Sequence, residues 1–173
     1  DVNGIIPPMQ GFFNKTSACG NTITLRAAAR THSNIHSRYK GETIIPLVRL
    51  AIFENQVSND ETVVRFNDLA KSDLDNDYDA IKMFLSSNKT SIHTSMGGTD
   101  YVINGQPFPD PSLEIPIVVN VVSAGTHKIS ATQLQGLDNY IVSLTDKTTG
   151  FTANLKTTPD ITFSASASTL SDR

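Results

Sequence analysis

Cysteine is all but missing: Cys19 stands alone among 173 residues. One thiol excludes an intramolecular disulfide and any zinc or redox site built from paired cysteines. Tryptophan is absent, and charged side chains make up only 18%. Long apolar runs are also lacking, since Ile44-Ile45-Pro46-Leu47-Val48 meets Arg49 far short of a membrane span. Positive charge is not in excess either. Lys+Arg number 14 against 17 Asp+Glu, for a formal charge of -3 and a pI near 5.7. That balance removes the global basic field with which a protein holds nucleic-acid phosphates, so nucleic acid is not an expected partner. The chain starts at Asp1 with no cationic stretch ahead of an apolar leader, which reads as a mature protein or a fragment.

What is present is hydroxyl and alternation. Ser and Thr together count 36, a composition that suits a Thr-rich β protein better than a helical one. Apolar residues recur with period two at Ile23, Leu25, Ala27 and Ala29. Pro46 to Phe53 and Glu61 to Phe66 read as a long hairpin, joined by the Asn, Ser and Asp residues of 55–60 that turns prefer. Gly97-Gly98 supplies the positive φ of a second tight turn. A regular series follows: Leu113, Ile115, Ile117, Val119 and Val121, then Ile129 and Ala131, then Tyr140, Val142 and Leu144. Phe151 to Leu155 and Ile161, Phe163, Ala165 and Ala167 close it. Asp68 to Met83 is the one stretch with room for a helical turn or two. The reading is an all-β chain: antiparallel β-sandwiches of jelly-roll or Ig-like Greek-key type, with little helix. At about 100–200 residues per domain the length allows one ordinary sandwich or two small ones. The expected division is an N-terminal β-sandwich over 1–88 and an Ig-like one over 89–173. Ser171-Asp172-Arg173 ends where one further strand would be expected.

The segments Ile5-Ile6-Pro7-Pro8-Met9-Gln10-Gly11-Phe12-Phe13, Ala29-Arg30-Thr31-His32 and Pro46-Leu47-Val48-Arg49-Leu50 carry a resemblance. It continues through Asp60 to Phe66, Asp77 to Phe84, Tyr101 to Pro107 and Ser171-Asp172-Arg173. In their order and spacing these resemble the C-terminal β-sandwich region of large secreted, adhesin-like surface proteins of the Bacteroidetes type, the region that often precedes a type IX secretion sorting domain. No sorting domain is itself present. The resemblance implies a secreted or outer-membrane-surface module of a larger chain, with no catalytic residues to carry over.

Three constellations bear on chemistry. Between Val2 and Gly41 there are five basic residues and no acid, whereas Glu42 to Asp79 holds nine acids against Arg49, Arg65 and Lys71. If 30–40 is one extended strand, Arg30, His32, His36, Arg38 and Lys40 share a face. That face is either a docking surface for an anionic glycan or acidic protein, or a solvated stripe neutralised by the acidic stretch that follows. His32 and His36 have helical ligand spacing but no third ligand nearby, so they do not make a zinc site. Asp73, Asp75, Asp77 and Asp79 place carboxylates at every second position, as in the opening of a calcium loop. Tyr78 and Phe84 occupy the positions where an EF-hand needs Gly and Glu, which excludes that motif. What remains is a loop site for Ca²⁺, with no other cofactor implied, or an Asp-capped turn whose carboxylates accept backbone N–H bonds.

No nucleophile elbow or phosphate loop occurs. The expectation is therefore a non-enzymatic surface module, adhesive or structural in role, with a protein or glycan at the cell surface as partner. The alternative is a carbohydrate-binding accessory domain of a surface glycoside hydrolase. Phe12, Phe13, Tyr39, Tyr78, Tyr101, Phe108 and Tyr140 are the rings that such a domain could stack on a sugar.

Overall fold

The computed structural model describes residue 24 and residues 44–84, 88–109 and 112–170. Among them there is no helix, and strands account for 52%. The all-β expectation is met. The cationic face from Arg30 to Lys40, the early strand from Ile23 and the rings Phe12, Phe13 and Tyr39 lie outside the described residues.

Strands β1 (Leu47–Glu54) and β2 (Val57–Phe66) form the first hairpin. Its turn is shorter than expected, being Asn55-Gln56 alone, with Glu54 opposite Val57. Both residues have positive φ, 50° and 65°, the geometry of a two-residue turn that matches the twist of the flanking strands. A register shift between Ile52 and Phe53 absorbs the extra residue. The anticipated helical turns after Asp68 are replaced by non-helical turns and the two-residue strand β3 (Ala80–Ile81). Strands β4 (Ser91–Met96) and β5 (Thr99–Gln106) meet at Gly97-Gly98, with φ of 58° and 78°, where the Gly-Gly pair placed the turn. Of the apolar series from Leu113, only Ile117–Val121 becomes strand β6. Pro116 lies just before it; proline has no N–H to give a ladder. Strands β7 (Gly125–Gln135), β8 (Ser143–Thr145), β9 (Thr152–Asn154), β10 (Asp160–Ala165) and β11 (Ser168–Leu170) complete the order.

Two separate antiparallel sheets are not what these strands build. Nine of them join one sheet in the order β10-β7-β1-β2-β5-β4-β6-β11, with β3 also on β5, and β8 pairs β9 as a small ribbon. The sheet is mixed: β2 and β5 run parallel from Val63 opposite Ile103 to Phe66 opposite Gln106. A parallel pair needs a long crossover, and residues 67–98 with β3 and β4 supply it.

The boundary expected near residue 88 does not divide this sheet. β1 and β2 precede it, yet β1 pairs with β7 and β2 with β5. Thr43–Arg173 is one compact unit, and the division falls between residues 42 and 43. The reason is register: Val48, Leu50 and Ile52 of β1, Ile92 of β4, Val119 of β6 and Ile129 of β7 all enter one core. Splitting the chain at 88 would expose that apolar surface to water.

Candidate binding groove

The long sheet curls until its two ends face one another. β7 and β10 form one end, paired from Asp160 opposite Ser130 to Ala165 opposite Gly125. β6 and β11 form the other, paired from Ser168 opposite Val121 to Leu170 opposite Val119. Only residues 122–124 separate β6 from β7, and only 166–167 separate β10 from β11. The two pairs are therefore held close at this corner by short links of chain. Away from it lies a groove of about 470 Å³, which the β8–β9 ribbon also lines.

Its walls follow from alternation. Ile161 and Phe163 of β10 pack against the core with exposed Thr162 between them, as period two requires, and all three line the groove. Ile117 and Val119 from β6, Ile129 from β7 and Leu170 from β11 complete the apolar floor. Leu144 and Phe151 come from the ribbon, and Phe151 is 52% exposed. The volume is in the range of small-ligand sites and of single-anchor pockets.

The polar groups at the rim are engaged locally. Asp146 Oδ1 accepts the N–H groups of Thr148 and Thr149 at 2.9 and 3.3 Å, shaping the ribbon's turn. Gly150 closes that turn with φ of 73° and donates its N–H to Asp146 O. Asp160 accepts the Ser130 hydroxyl at 2.5 Å and the Lys128 ammonium at 3.1 Å. The Ser130 hydrogen bond, aided by Lys128, holds the Asp160 carboxyl below its ordinary range. Behind the groove, Phe163 packs on the His127 ring at 5.6 Å. His127 is buried, with Nε2 3.2 Å from the Ser123 carbonyl and no partner for Nδ1 among the described residues. Nearby, Glu54 accepts hydrogen bonds from Ser123, Asn59 and Thr90. The Ser123 bond is the largest cause that holds the Glu54 carboxyl below its usual value, against the opposing cost of burial. Ser123 donates to Glu54 and not to an imidazole, so the trio lacks the nucleophile-to-base hydrogen bond of a hydrolytic triad.

The four aspartates do not converge on a common point. Asp73 and Asp77 are exposed. Asp79 accepts the Asp75 N–H at 2.7 Å through Oδ2 and the Gly105 N–H at 2.6 Å through Oδ1. Asp75 Oδ1 accepts the Asp77 N–H at 3.1 Å. Among the described residues no group of three or more His, Cys, Asp or Glu is arranged to hold a metal ion. The segment is an Asp-capped turn that pins residues 75–79 to β5.

The aromatic expectations resolve similarly. Tyr101 is buried in the core. Tyr78 lies over Gly105, with Arg65 5.3 Å from its ring centroid. Phe108 stacks between Phe66 and Tyr140, at 5.8 and 6.0 Å. Of these four rings Tyr101 is buried, and Tyr78, Phe108 and Tyr140 are half-buried with a face packed on a neighbour. Among the described residues, Phe151 in the groove and Phe84, both more than half exposed, are the large rings left facing water. Neither stood out in the sequence, because exposure of one ring in an alternating strand or loop has no local signature. The groove itself joins residues from 117 to 170 and could not be read before the sheet's curl was known.

The family model for DUF8693, a domain of unknown function, matches residues 1–173. The chain belongs to that family. No curated protein and no solved structure matches it.

Proposed function

We propose that this chain is a non-enzymatic module of a secreted or cell-surface protein, adhesive or structural in role, which holds an apolar segment of a protein partner in the groove between the sheet ends. The observation that carries this reading is Phe151, half exposed on the wall of an apolar concavity. Soluble proteins rarely leave such surface uncovered without a contact to make, and an aromatic side chain at a pocket is the usual anchor of a protein interface. The rim carboxylates Asp146 and Asp160 already hold local partners, so the groove offers area and shape more than charge. A protein partner is favoured over a sugar because Tyr101 is buried and the half-buried Tyr78, Phe108 and Tyr140 each have a face taken by a neighbouring residue.

The test is a screen of the 173-residue chain against arrays of extended apolar peptides and of glycans, with Phe151→Ser and with Arg30, Arg38 and Lys40 changed together to Ser. Peptide binding that falls by about tenfold or more in Phe151→Ser, about 1.4 kcal/mol, at an unchanged melting temperature supports the groove. Binding that ignores Phe151 but weakens with salt and in the cationic-face variant moves the contact to Arg30–Lys40, since exposed charges are screened at physiological ionic strength. Glycan binding indifferent to both would instead support the carbohydrate-binding alternative.

A further inference from the structure

A second polar site, away from the groove, centres on His93 of β4. Its side chain is 3% exposed. Nε2 lies 3.5 Å from Asp100 Oδ1 of β5, and Nδ1 is buried with no hydrogen-bond partner among the described residues. The ring of Phe84 meets the imidazole edge-on at 5.3 Å, with its own other surface toward water. Phe84 belongs to the stretch that follows β3, and this stretch is tied down at few points. Ala80 and Ile81 pair with Ile103 and Tyr101 of β5. The Lys82 N–H donates to the Asp100 carbonyl at 2.8 Å. The Lys82 side chain, 7% exposed, pairs with Asp60 of β2 and donates to the Ile92 carbonyl at 3.2 Å.

Charged groups act on the imidazole from three elements: Asp100 on β5, Lys82 after β3 and Asp60 on β2. Burial is the largest influence and opposes the imidazolium; Lys82 adds to it, and Asp100 and Asp60 act against it. The ring is therefore held neutral below its ordinary value of 6.5. An imidazolium formed in place would be a second buried cation beside Lys82, with an N–H at Nδ1 that meets no acceptor among the described residues. An unpaired buried charge of this kind is costly. The cheapest relief is local, because Phe84 packs edge-on against the imidazole and β3 just before it contributes only two residues of pairing, so moving this stretch aside opens the ring to water.

We propose that His93, Asp100, Lys82 and Phe84 form an acid-released latch, in which protonation of His93 frees Ala80–Phe84 from the sheet and uncovers the Tyr101–Ile103 edge of β5. The sign follows from linkage. The latched state binds the proton less well than the open one, so its stability is fully present above about pH 6.5 and is lost as pH falls below that value. An uncovered strand edge is a surface on which another chain can pair. The latch gives the protein a contact surface that is present in acid and covered at neutral pH. It does not depend on the groove.

The experiment is hydrogen exchange of the full chain at pH 7.5 and pH 5.0, corrected for intrinsic rate and read on peptides covering 79–84 and 99–104. Protection of these peptides should fall by up to about tenfold per pH unit below 6.5, return on neutralisation, and leave β1 and β7 protected. His93→Gln, which cannot take the charge, should show equal protection at both pH values. Asp100→Asn, which removes an anion that eases protonation, should show a larger loss in acid. Equal protection of the wild type at both pH values overturns the proposal. So does a His93→Gln variant that keeps the wild-type response, or a loss shared by β1 and β7. Should His93→Gln not fold, the wild-type imidazole resonance serves: titration of His93 near 6.5 with Ala80–Phe84 still protected overturns the latch, and titration in step with loss of protection supports it.

Discussion

Gly105 shows how one missing side chain organises a neighbourhood. A Cβ added there would sit 2.5 Å from Tyr78 Cβ and 2.9 Å from the Tyr78 carbonyl oxygen, so glycine is what allows the 75–79 turn to lie on β5. Gly105→Ala should destabilise the protein by roughly 1–3 kcal/mol, the usual cost of overpacking, as read from the urea midpoint. An unchanged midpoint would mean that Tyr78 can move without loss. Glu54 is a second residue with a readable consequence. Its folded-state pKa lies below the ordinary 4.5, so the stability it contributes is present above about 4.5 and is lost as pH falls through the lower folded value. Unfolding measured between pH 6 and pH 3 should therefore show a shallower acid slope in Glu54→Gln than in the wild type. Identical slopes would remove Glu54 from the acid response.

At the level of elements, the two tight hairpins differ in how well their residues suit their turns. Gly97 and Gly98 take positive φ without strain, whereas Asn55 and Gln56 adopt it with side chains attached. Asparagine tolerates the left-handed region and glutamine does so less readily, at a cost of roughly 1–2 kcal/mol for an L-residue. Gln56→Gly should accordingly stabilise the protein by up to about 1 kcal/mol, read as a higher urea midpoint, once glycine's greater unfolded-state freedom is set against the relieved strain. A lower midpoint would show that the Gln56 side chain contributes more than its backbone costs. The Asp68–Met83 stretch illustrates the opposite case, in which local polarity allowed a helix but Asp75 and Asp79 spend their carboxylates on backbone N–H groups and hold turns instead.

For the molecule as a whole, the parallel β2–β5 pair and the β1–β7 pair bind early residues to late ones. Polypeptides covering 1–88 and 89–173, made separately, should therefore fail to give cooperative thermal transitions, while the full chain gives one from Thr43–Arg173. A cooperative melt of the 89–173 piece alone would restore a boundary at 88. The same long-range pairing curls the sheet and creates the groove, so a contact site arises from residues that are remote in sequence and unremarkable one at a time.

Sequence alone determined the all-β class, the Gly97-Gly98 hairpin and most of the inward-facing positions, because period-two alternation and positive-φ turns are written in neighbouring residues. Alternation says which face of a strand is buried; it is silent on which strand lies alongside. That is why two antiparallel sandwiches were expected where one mixed sheet forms, and why a boundary was expected inside it. Only the tertiary structure decided that the two ends of the sheet line one groove with Phe151, that Asp75 and Asp79 cap a turn, and that His93 is buried against Phe84 with one nitrogen unpartnered among the described residues. Each depends on contacts between residues far apart in the chain, or on how a strand's exposed and buried faces are finally covered, and neither is encoded by composition or spacing.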